Sequence, residues 1–507
     1  MDKIVVLDFG GQYCHLISRR IRELGVFCQV MPSDTTAGQL SLIDGLKGII
    51  ISGGAASVYD DDSPEFSPDL LDAGVPLLGI CYGHQLIAHI SGGKVVGGKA
   101  GEYGITDLKV KSREGLLKGF QPRSVVWMNH RDIVSKLPKG FKVLSSTKNS
   151  PVAAYANDKL RLYGVQFHHE VTHTPKGMRV FDNFLKICKA KRDWRMKDVI
   201  AKAVKEAEET LGCKKTIIGL SGGVDSSTAA VLVARAIGKN LTAVYVDTGL
   251  MRYKETEFME ETFADKEMDF RVIRAQDRFF CALKGVTDPE RKRKIIGNLF
   301  IDIFEEEAEK VGAEYLVQGT IYSDRIESGV TKHSDTIKSH HNVGGLKENM
   351  KLKLYEPLRD LYKDEVREIA RQLKLPKVII TRHVFPGPGL GIRILGEVTP
   401  EKADIARRAG HIVEEELKKA GLYEGYWMGF AVLLPVKSVG IQGDSRSYKY
   451  PVVVRIIESK DAMTANFSRV PYEVLESIST RITNEITQVN RVVYDITNKP
   501  PATMEWE

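Results

Sequence analysis

The chain of 507 residues has no C-x-x-C pair among its six cysteines, Cys14, Cys28, Cys81, Cys188, Cys213 and Cys281. That removes the usual framework for a zinc ribbon or a dithiol redox centre, and scattered thiols point to a reducing compartment. No apolar run is long enough to span a bilayer, and no charged-then-apolar leader opens the sequence. The expectation is a cytoplasmic protein with no membrane partner. Low-complexity tracts and short-period repeats are missing as well. Charge of one sign is barely in excess: Lys and Arg number 73 against 66 Asp and Glu, a net of +7. Such a bias suits anionic small molecules and gives no reason to expect nucleic acid. What remains is an ordinary composition, 43% hydrophobic, at a length that suggests about three domains.

Against that background one stretch stands out, IIGLSGGVDSSTAAVLV at 217–233. It reads as a short buried strand that turns through glycines into a helix of small apolar residues. The unpaired N–H groups at such a helix start, together with the helix dipole, make an anion site. Gly222 and Gly223 let a phosphate approach the backbone, and Ser221, Ser226 and Ser227 add hydroxyl donors. Asp225 belongs beside a triphosphate only if a metal ion sits between them. No G-K-[ST] closes the loop, so it is not a Walker A motif. SGGVDSS resembles the pyrophosphate loop of the N-type ATP pyrophosphatase family, enzymes that cut ATP to AMP and pyrophosphate while adenylating a substrate oxygen. The plainer reading is a Gly/Ser turn that caps a helix.

Residues 1 to about 190 read as a doubly wound α/β sheet, with strands at 3–7, 26–30, 48–51 and 75–80. In such sheets active groups collect at the carboxyl ends of strands. Gly79-Ile80-Cys81-Tyr82-Gly83 follows one of these strands as a nucleophile elbow, whose flanking glycines make room for a tight turn. The dipole at a helix start favours a thiolate there. A cysteine nucleophile wants a base, and the base wants an orienting carboxylate. GVQFHHE at 164–170 supplies both, since His168 and Glu170 sit two apart and share a side of an extended segment. Alone, a cysteine is usually core and a His-x-Glu is usually surface.

The combination resembles the class I glutamine amidotransferase family, in which Cys attacks the glutamine amide, His is the base and Glu orients it. The resemblance implies Cys81, His168 and Glu170 as catalytic residues. It implies an oxyanion hole from the backbone of Tyr82 and Gly54, and a glutamine contact at Gln85. Two departures stand in the motif: Ala55 and His169 replace residues that are usually proline, and His169 is a second imidazole beside Glu170, with His168 expected to remain the base because its place in the motif matches. Residues 127–132, WMNHRD, are either a substrate-side loop or a strand end with a polar turn.

The basic stretch 189–195 marks a boundary, and a second part runs from 191 to 385. Asp247, after a strand at 241–246, either holds a metal or a ribose or caps the next helix. GVTDPERKRKIIG at 285–297 reads as a dense basic helix start, and a charge run of this kind is usually a solvated face. From 386 to 507 the pattern is a smaller α+β layer opened by FPGPGLG, with a polar, proline-rich end of the kind that usually frays.

SGGVDSS, VDTGLMR, GVTDPERKRKIIG, QGTIYSD, IESG and IKSHHNVGGL occur in order. With the amidotransferase part they resemble the glutamine-hydrolysing GMP synthetase family over essentially the whole chain. The resemblance implies two doubly wound parallel-sheet domains followed by a smaller α+β dimerisation domain, at 1–190, 191–385 and 386–507. It implies Mg²⁺–ATP on Ser221, Gly222, Gly223, Val224, Asp225, Ser226 and Ser227, with Val246 and Lys338 as further ATP contacts and Asp225 at the metal. Xanthosine 5′-monophosphate is expected on Arg393, Gln442, Lys499 and Glu505, where the plain alternative is an ordinary dimer surface. A homodimer through the last domain and no prosthetic group complete the expectation. Two alternatives stay open: another glutamine-dependent adenylating ligase of this architecture, and a nucleotide sensor built on an inactive ligase.

Overall fold

A computed structural model describes residues 1–60, 63–327, 352–459 and 464–507. They form two compact units, Met1–Val199 and a second that starts at Ile200 and ends at Glu507. No helix among the described residues is long and apolar enough to cross a membrane.

The first unit is built on a nine-stranded sheet. Its strands are β1 (Lys3–Asp8), β2 (Phe27–Pro32), β3 (Leu46–Ile51), β4 (Leu77–Ile80), β5 (Lys94–Val110), β6 (Arg123–Lys136), β7 (Lys142–Ser146), β8 (Ala154–Asn157) and β9 (Leu162–Val165). The order is β2-β1-β3-β4-β9-β8-β7-β5-β6. Pairing is parallel from β2 through β9 and antiparallel from β9 through β6. The parallel half is the expected doubly wound sheet. Side chains alternate across it: Ile4, Val6, Ile50 and Leu78 join one core layer, while Val5, Leu7, Ile49 and Leu77 join the other. Ile17 and Ile21 of the helix Cys14–Glu23 and Phe181 and Phe184 of the helix Gly177–Ile187 fill the first layer. Leu86 and Ile87 of the helix Tyr82–Ile90 fill the second. The basic stretch around 190 is tied down: Trp194 packs on Phe27 at 4.8 Å, and its N–H donates to Gly25 O at 2.9 Å.

The second unit opens on an all-parallel sheet of β10 (Thr216–Gly219), β11 (Leu241–Asp247), β12 (Asp269–Arg274), β13 (Tyr315–Val317) and β14 (Lys353–Tyr355). The order β12-β11-β10-β13-β14 reverses direction between β10 and β13. Ligands of open α/β sheets bind at that kind of crevice, at the strands' carboxyl ends. The loop 220–223 leaves β10 there.

The chain then builds a second sheet around the long strand β17 (Ser445–Glu458). The strands β15 (Met428–Leu433), β16 (Ser438–Gln442) and β18 (Asn466–Phe467) pair with it antiparallel, and β19 (Val489–Tyr494) pairs parallel. Helices Pro400–Lys419 and Tyr472–Glu485 pack on this sheet. One core runs through both sheets, from Ile217 and Val244 to Ile412, Val454 and Ile482. The polar string 440–446 forms the tip of a hairpin between β16 and β17. Gly443 and Asp444 both take φ of 58°, as a two-residue hairpin turn requires. The terminal residues do not fray. Fully buried Arg455 donates to the carbonyls of Met504, Thr497 and Thr503 and to Asp495, so the tail satisfies a charge that would otherwise be buried alone.

Candidate functional sites

The elbow after β4 explains its own glycines. A Cβ on Gly79 would lie 2.2 Å from Gly83 O, so the two flanking residues close on each other only without side chains. Cys81 is held at φ 53° and ψ −103°, outside the ordinary regions for a side-chain-bearing residue, and the helix Tyr82–Ile90 starts directly after it. Its N–H donates to Val165 O at 2.9 Å, which ties the elbow to the end of β9.

His168 follows β9 by three residues. Its Nδ1 lies 2.6 Å from Glu170 Oε1, and both side chains are buried. The backbone is pinned on both sides. His168 N–H donates to Trp127 O at 2.9 Å, and Thr174 Oγ1 donates to His168 O at 2.6 Å while accepting from Trp127 N–H at 3.0 Å. Burial alone lowers the His168 pKa, but hydrogen bonds to Cys81 and Glu170 overcome it and push it up to about 10. The site is therefore built to stabilise an imidazolium beside the sulfur. His169 does not compete for Glu170. Its ring packs 4.2 Å from Phe181, and burial pushes it down to about 4, the neutral form.

The glycine loop after β3 comes close to the same point. A Cβ on Gly53 would stand 3.6 Å from Cys81 Cβ and 3.5 Å from His168 Cε1, and one on Gly54 would meet Phe9 O at 2.6 Å. Of the expected oxyanion donors, Tyr82 directly follows the thiol at the helix start, and Gly54 follows Gly53 in the β3 loop. Gln85 Nε2 donates to Asp132 O at 2.8 Å and to Gln166 Oε1 at 3.2 Å. Gln166 Nε2 in turn lies 3.8 Å from Cys81 Sγ. Residues 127–132 are neither a loop nor a strand end, for they lie inside the 14-residue strand β6. Gln166 was legible in outline: it stands two before His168, on the same side of an extended segment.

In the second unit Ser221 Oγ and Ser226 Oγ lie 3.1 Å apart, and Gly223 N–H donates to Ser221 Oγ at 3.3 Å. Gly222 takes φ +73°, and Arg382 caps its carbonyl while pairing with Glu255 at 2.7 Å. Lys363 donates to Asp225 Oδ2. Asp225 Oδ1 and Ser227 Oγ are buried with no hydrogen-bond partner among the described residues. Such orphans beside a row of backbone donors fit a ligand and its cation. Val246 lies buried in β11, next to β10. Asp247, the neighbouring carboxylate, is fully engaged: it accepts from Gly249 N–H, Thr256 Oγ1 and Gln276 Nε2, each at 2.9 Å. It does not cap the next helix, whose N-cap is Lys254. Lys338 lies outside the described residues.

The four candidate acceptor residues fall in three places. Arg393 and Glu505 form a two-pronged pair at 3.0 and 2.8 Å, with the guanidinium 4.2 Å from the Phe430 ring centre. Gln442, in the hairpin, accepts from Lys449 at 2.5 Å and donates to Val489 O at 3.4 Å. Lys499 forms an isolated backbone bridge with Ala465. The charge run 285–297 is not simply a solvated face. Lys292 is fully buried, donating to Ile394 O at 2.7 Å and pairing with Glu507.

Comparison with known proteins gives a consistent outline. The model of the class-I glutamine amidotransferase family matches residues 5–188, that of NAD synthase matches 195–285, and that of the GMP synthase C terminal domain matches 415–506. The chain is 51% identical over 512 residues to a protein of Caldanaerobacter subterraneus named GMP synthase (glutamine-hydrolyzing), covering 100% of this chain and 99% of that one. Proteins of the same name from Symbiobacterium thermophilum and Clostridium acetobutylicum are each 52% identical, covering 100% of this chain and 99% and 100% of theirs.

Proposed function

The chain belongs to the glutamine-hydrolysing GMP synthase family, and from that premise we propose how its residues share the reaction. It is an ATP-dependent carbon–nitrogen ligase that aminates xanthosine 5′-monophosphate to guanosine 5′-monophosphate with glutamine as nitrogen donor. AMP, pyrophosphate and glutamate are the other products.

The first unit is the glutaminase. Cys81 attacks the glutamine amide carbon, the oxyanion forms between the N–H groups of Gly54 and Tyr82, and collapse expels ammonia. His168 protonates the departing nitrogen, and Glu170 holds its tautomer and charge. Water, deprotonated by His168, then cleaves the thioester and releases glutamate. The observation that carries this reading is the Glu170–His168 contact at 2.6 Å with the imidazole drawn up by both Glu170 and Cys81.

The loop 221–227 binds ATP at the switch point of the second sheet. The xanthine oxygen attacks the α-phosphate and displaces pyrophosphate. The adenylated oxygen then leaves as AMP when ammonia attacks the ring carbon. Mg²⁺ fits the orphan Asp225 Oδ1, and when bound it supplies charge neutralisation for the phosphates. Glu505, oriented by Arg393, together with Gln442 and Lys499, is our assignment for the acceptor. A carboxylate held this way accepts from ring N–H groups, Lys499 suits the phosphate, and Gln442 suits a purine edge or ribose.

We keep functional divisions at about 190 and 385, although the last two parts share one core. A homodimer through the C-terminal part is supported by the hairpin. Val439, Ile441 (78% exposed) and Tyr448 (65% exposed) share one of its faces with Arg446, an exposed apolar cluster with one cation. Scattered thiols support a cytoplasmic location.

Nucleotide product analysis tests the whole reading. With Mg²⁺–ATP, glutamine and xanthosine monophosphate, the expected products are AMP, pyrophosphate and guanosine monophosphate, and none appears without the acceptor. ADP and phosphate in their place would overturn the loop assignment.

A further inference from the structure

Beneath the thiol site lies a second buried His–Glu pair that the reaction as described does not use. Glu102 of β5 and His130 of β6 face each other across the antiparallel register, just after a bulge between Gly97 and Glu102. They are 5% and 6% exposed. His130 Nε2 lies 3.2 Å from Glu102 Oε2, and Thr147 Oγ1 donates to Glu102 Oε1 at 2.6 Å. Burial works against a charged Glu102, but the bonds from His130 and Thr147 outweigh it and hold the carboxyl below its usual range.

The other ring nitrogen decides what the pair does. His130 Nδ1 lies 2.9 Å from the Asp132 carbonyl. A carbonyl only accepts, so Nδ1 carries a hydrogen, and the contact of Nε2 with Glu102 holds the ring in that orientation. The same Asp132 carbonyl accepts from Gln85 Nε2. That contact orients the Gln85 amide without ambiguity, because only its nitrogen can face a carbonyl. The second Nε2 hydrogen goes to Gln166 Oε1, which turns Gln166 Nε2 toward Cys81 Sγ. Both Gln85 donors are then used, and Oε1 is left as the acceptor. Asp132 also reaches the glycine loop, since its Oδ2 accepts from Ser57 Oγ at 2.6 Å. One carbonyl thus joins the buried pair, the two glutamines beside the thiol, and the strand whose side chain holds the oxyanion loop.

We propose that Glu102 and His130 are positioning residues of the glutamine pocket: through the Asp132 carbonyl they fix the orientation of the Gln85 and Gln166 amides beside Cys81. This rests on the assignment of Cys81 as the glutaminase nucleophile. Neither residue touches the reacting atoms. Their loss lets the Asp132 segment shift and the two amides rotate, so glutamine binds less well while the thiol, base and oxyanion donors keep their chemistry.

The test uses the full chain, with steady-state glutamine-dependent synthesis, ammonium-dependent synthesis and thermal melting. Glu102→Ala is expected to raise KM for glutamine about tenfold, the effect of losing one such hydrogen-bonded anchor, with kcat within about twofold. Glu102→Gln is expected to restore KM, because its amide donates to His130 Nε2 and still accepts from Thr147. His130→Asn places an N–H near Nδ1 and His130→Gln places one near Nε2, so the first is expected to keep the lower KM. This pair decides the matter if Glu102→Ala does not fold. Ammonium-dependent synthesis should be unchanged throughout. An unchanged KM in folded Glu102→Ala would overturn the proposal. So would equal KM values in the two His130 variants, or a fall in kcat that matches the rise in KM. Cys81→Ala, run in parallel, separates the two failures: if it still uses glutamine, the nucleophile assignment itself is wrong.

Discussion

The thiol site and the phosphate site differ in how much of each is already assembled. Around Cys81 the pieces are bonded to one another: His168 to Glu170 at 2.6 Å, its carbonyl to Thr174, the elbow to Val165 O. Around the loop 221–227 the contacts are placeholders. Ser221 and Ser226 face each other, Lys363 takes one Asp225 oxygen, and the other oxygen has no partner among the described residues. Covalent catalysis needs a nucleophile, base and orienter in fixed geometry before substrate arrives. A triphosphate brings its own charge and cation, so its site needs donors that can be redirected. On the proposed assignments, covalent chemistry is prebuilt in one unit, and ligand-completed chemistry in the other.

The sharpest way to break the comparison is Cys81→Ala. Glutamine-dependent synthesis should fall by about 10⁴-fold or more, as when the nucleophile of a triad is removed. Synthesis with added ammonium salt should persist, because the phosphate site lies in the other compact unit. A folded variant that loses both activities would contradict the separation. Glu170→Gln should follow, at about 10³-fold in glutamine-dependent kcat. It has a second signature. Glu170 is one of the groups that raise His168 to about 10, so the His168 imidazole should titrate lower in this variant, as followed by NMR. The sign for stability is fixed by the same shift. A histidine raised when folded stabilises the fold below its unfolded pKa of about 6.5, and the contribution is lost as pH climbs toward 10. The wild type should lose more stability than Glu170→Gln between those limits, and equal pH profiles would remove Glu170 from the pair.

Asp225→Asn sharpens the other side. It leaves the loop's backbone donors in place but removes the charge from the orphan oxygen. The expected loss is about 10²-fold in kcat/KM for Mg²⁺–ATP, the same with glutamine or ammonium as nitrogen source. Unchanged ATP kinetics would refute the metal assignment.

How much of this was legible in the sequence follows from where each partner lies along the chain. The parallel strands before Cys81 and the loop 221–227 are short buried apolar runs, and their motifs are local, so the strand, turn and nucleophile could be read together. β5 was hidden because Gly97, Gly98, Gly101 and Gly104 interrupt it and exposed Tyr103 and Ile105 blur its alternation. The buried state of Lys292 had no local signal at all. Its partners are Ile394 and Glu507, 102 and 215 residues away, and in isolation KRK is a solvated run. Arg382 and Lys363, which bond to Gly222 and Asp225 of the loop 221–227, come from 160 and 138 positions downstream by the same kind of long-range closure. Motif reading reaches what a strand end and its turn encode. It does not reach a charge that becomes buried because a distant carboxylate arrives.

His169 gives the smallest expected effect and the finest test of preassembly. In sequence it stands between the base and its orienter as an apparent rival. In the structure its ring leans on Phe181 and stays neutral, and the Glu170 oxygen facing the base is taken by His168. His169→Ala should therefore change glutamine-dependent kcat by no more than about twofold, while the cavity left against Phe181 lowers stability by about 2–3 kcal/mol. Thermal melting and steady-state rates on one preparation measure both. A large fall in kcat with little change in melting temperature would mean that His169 shares the orienting carboxylate after all, and that the thiol site is less fixed than its hydrogen bonds indicate.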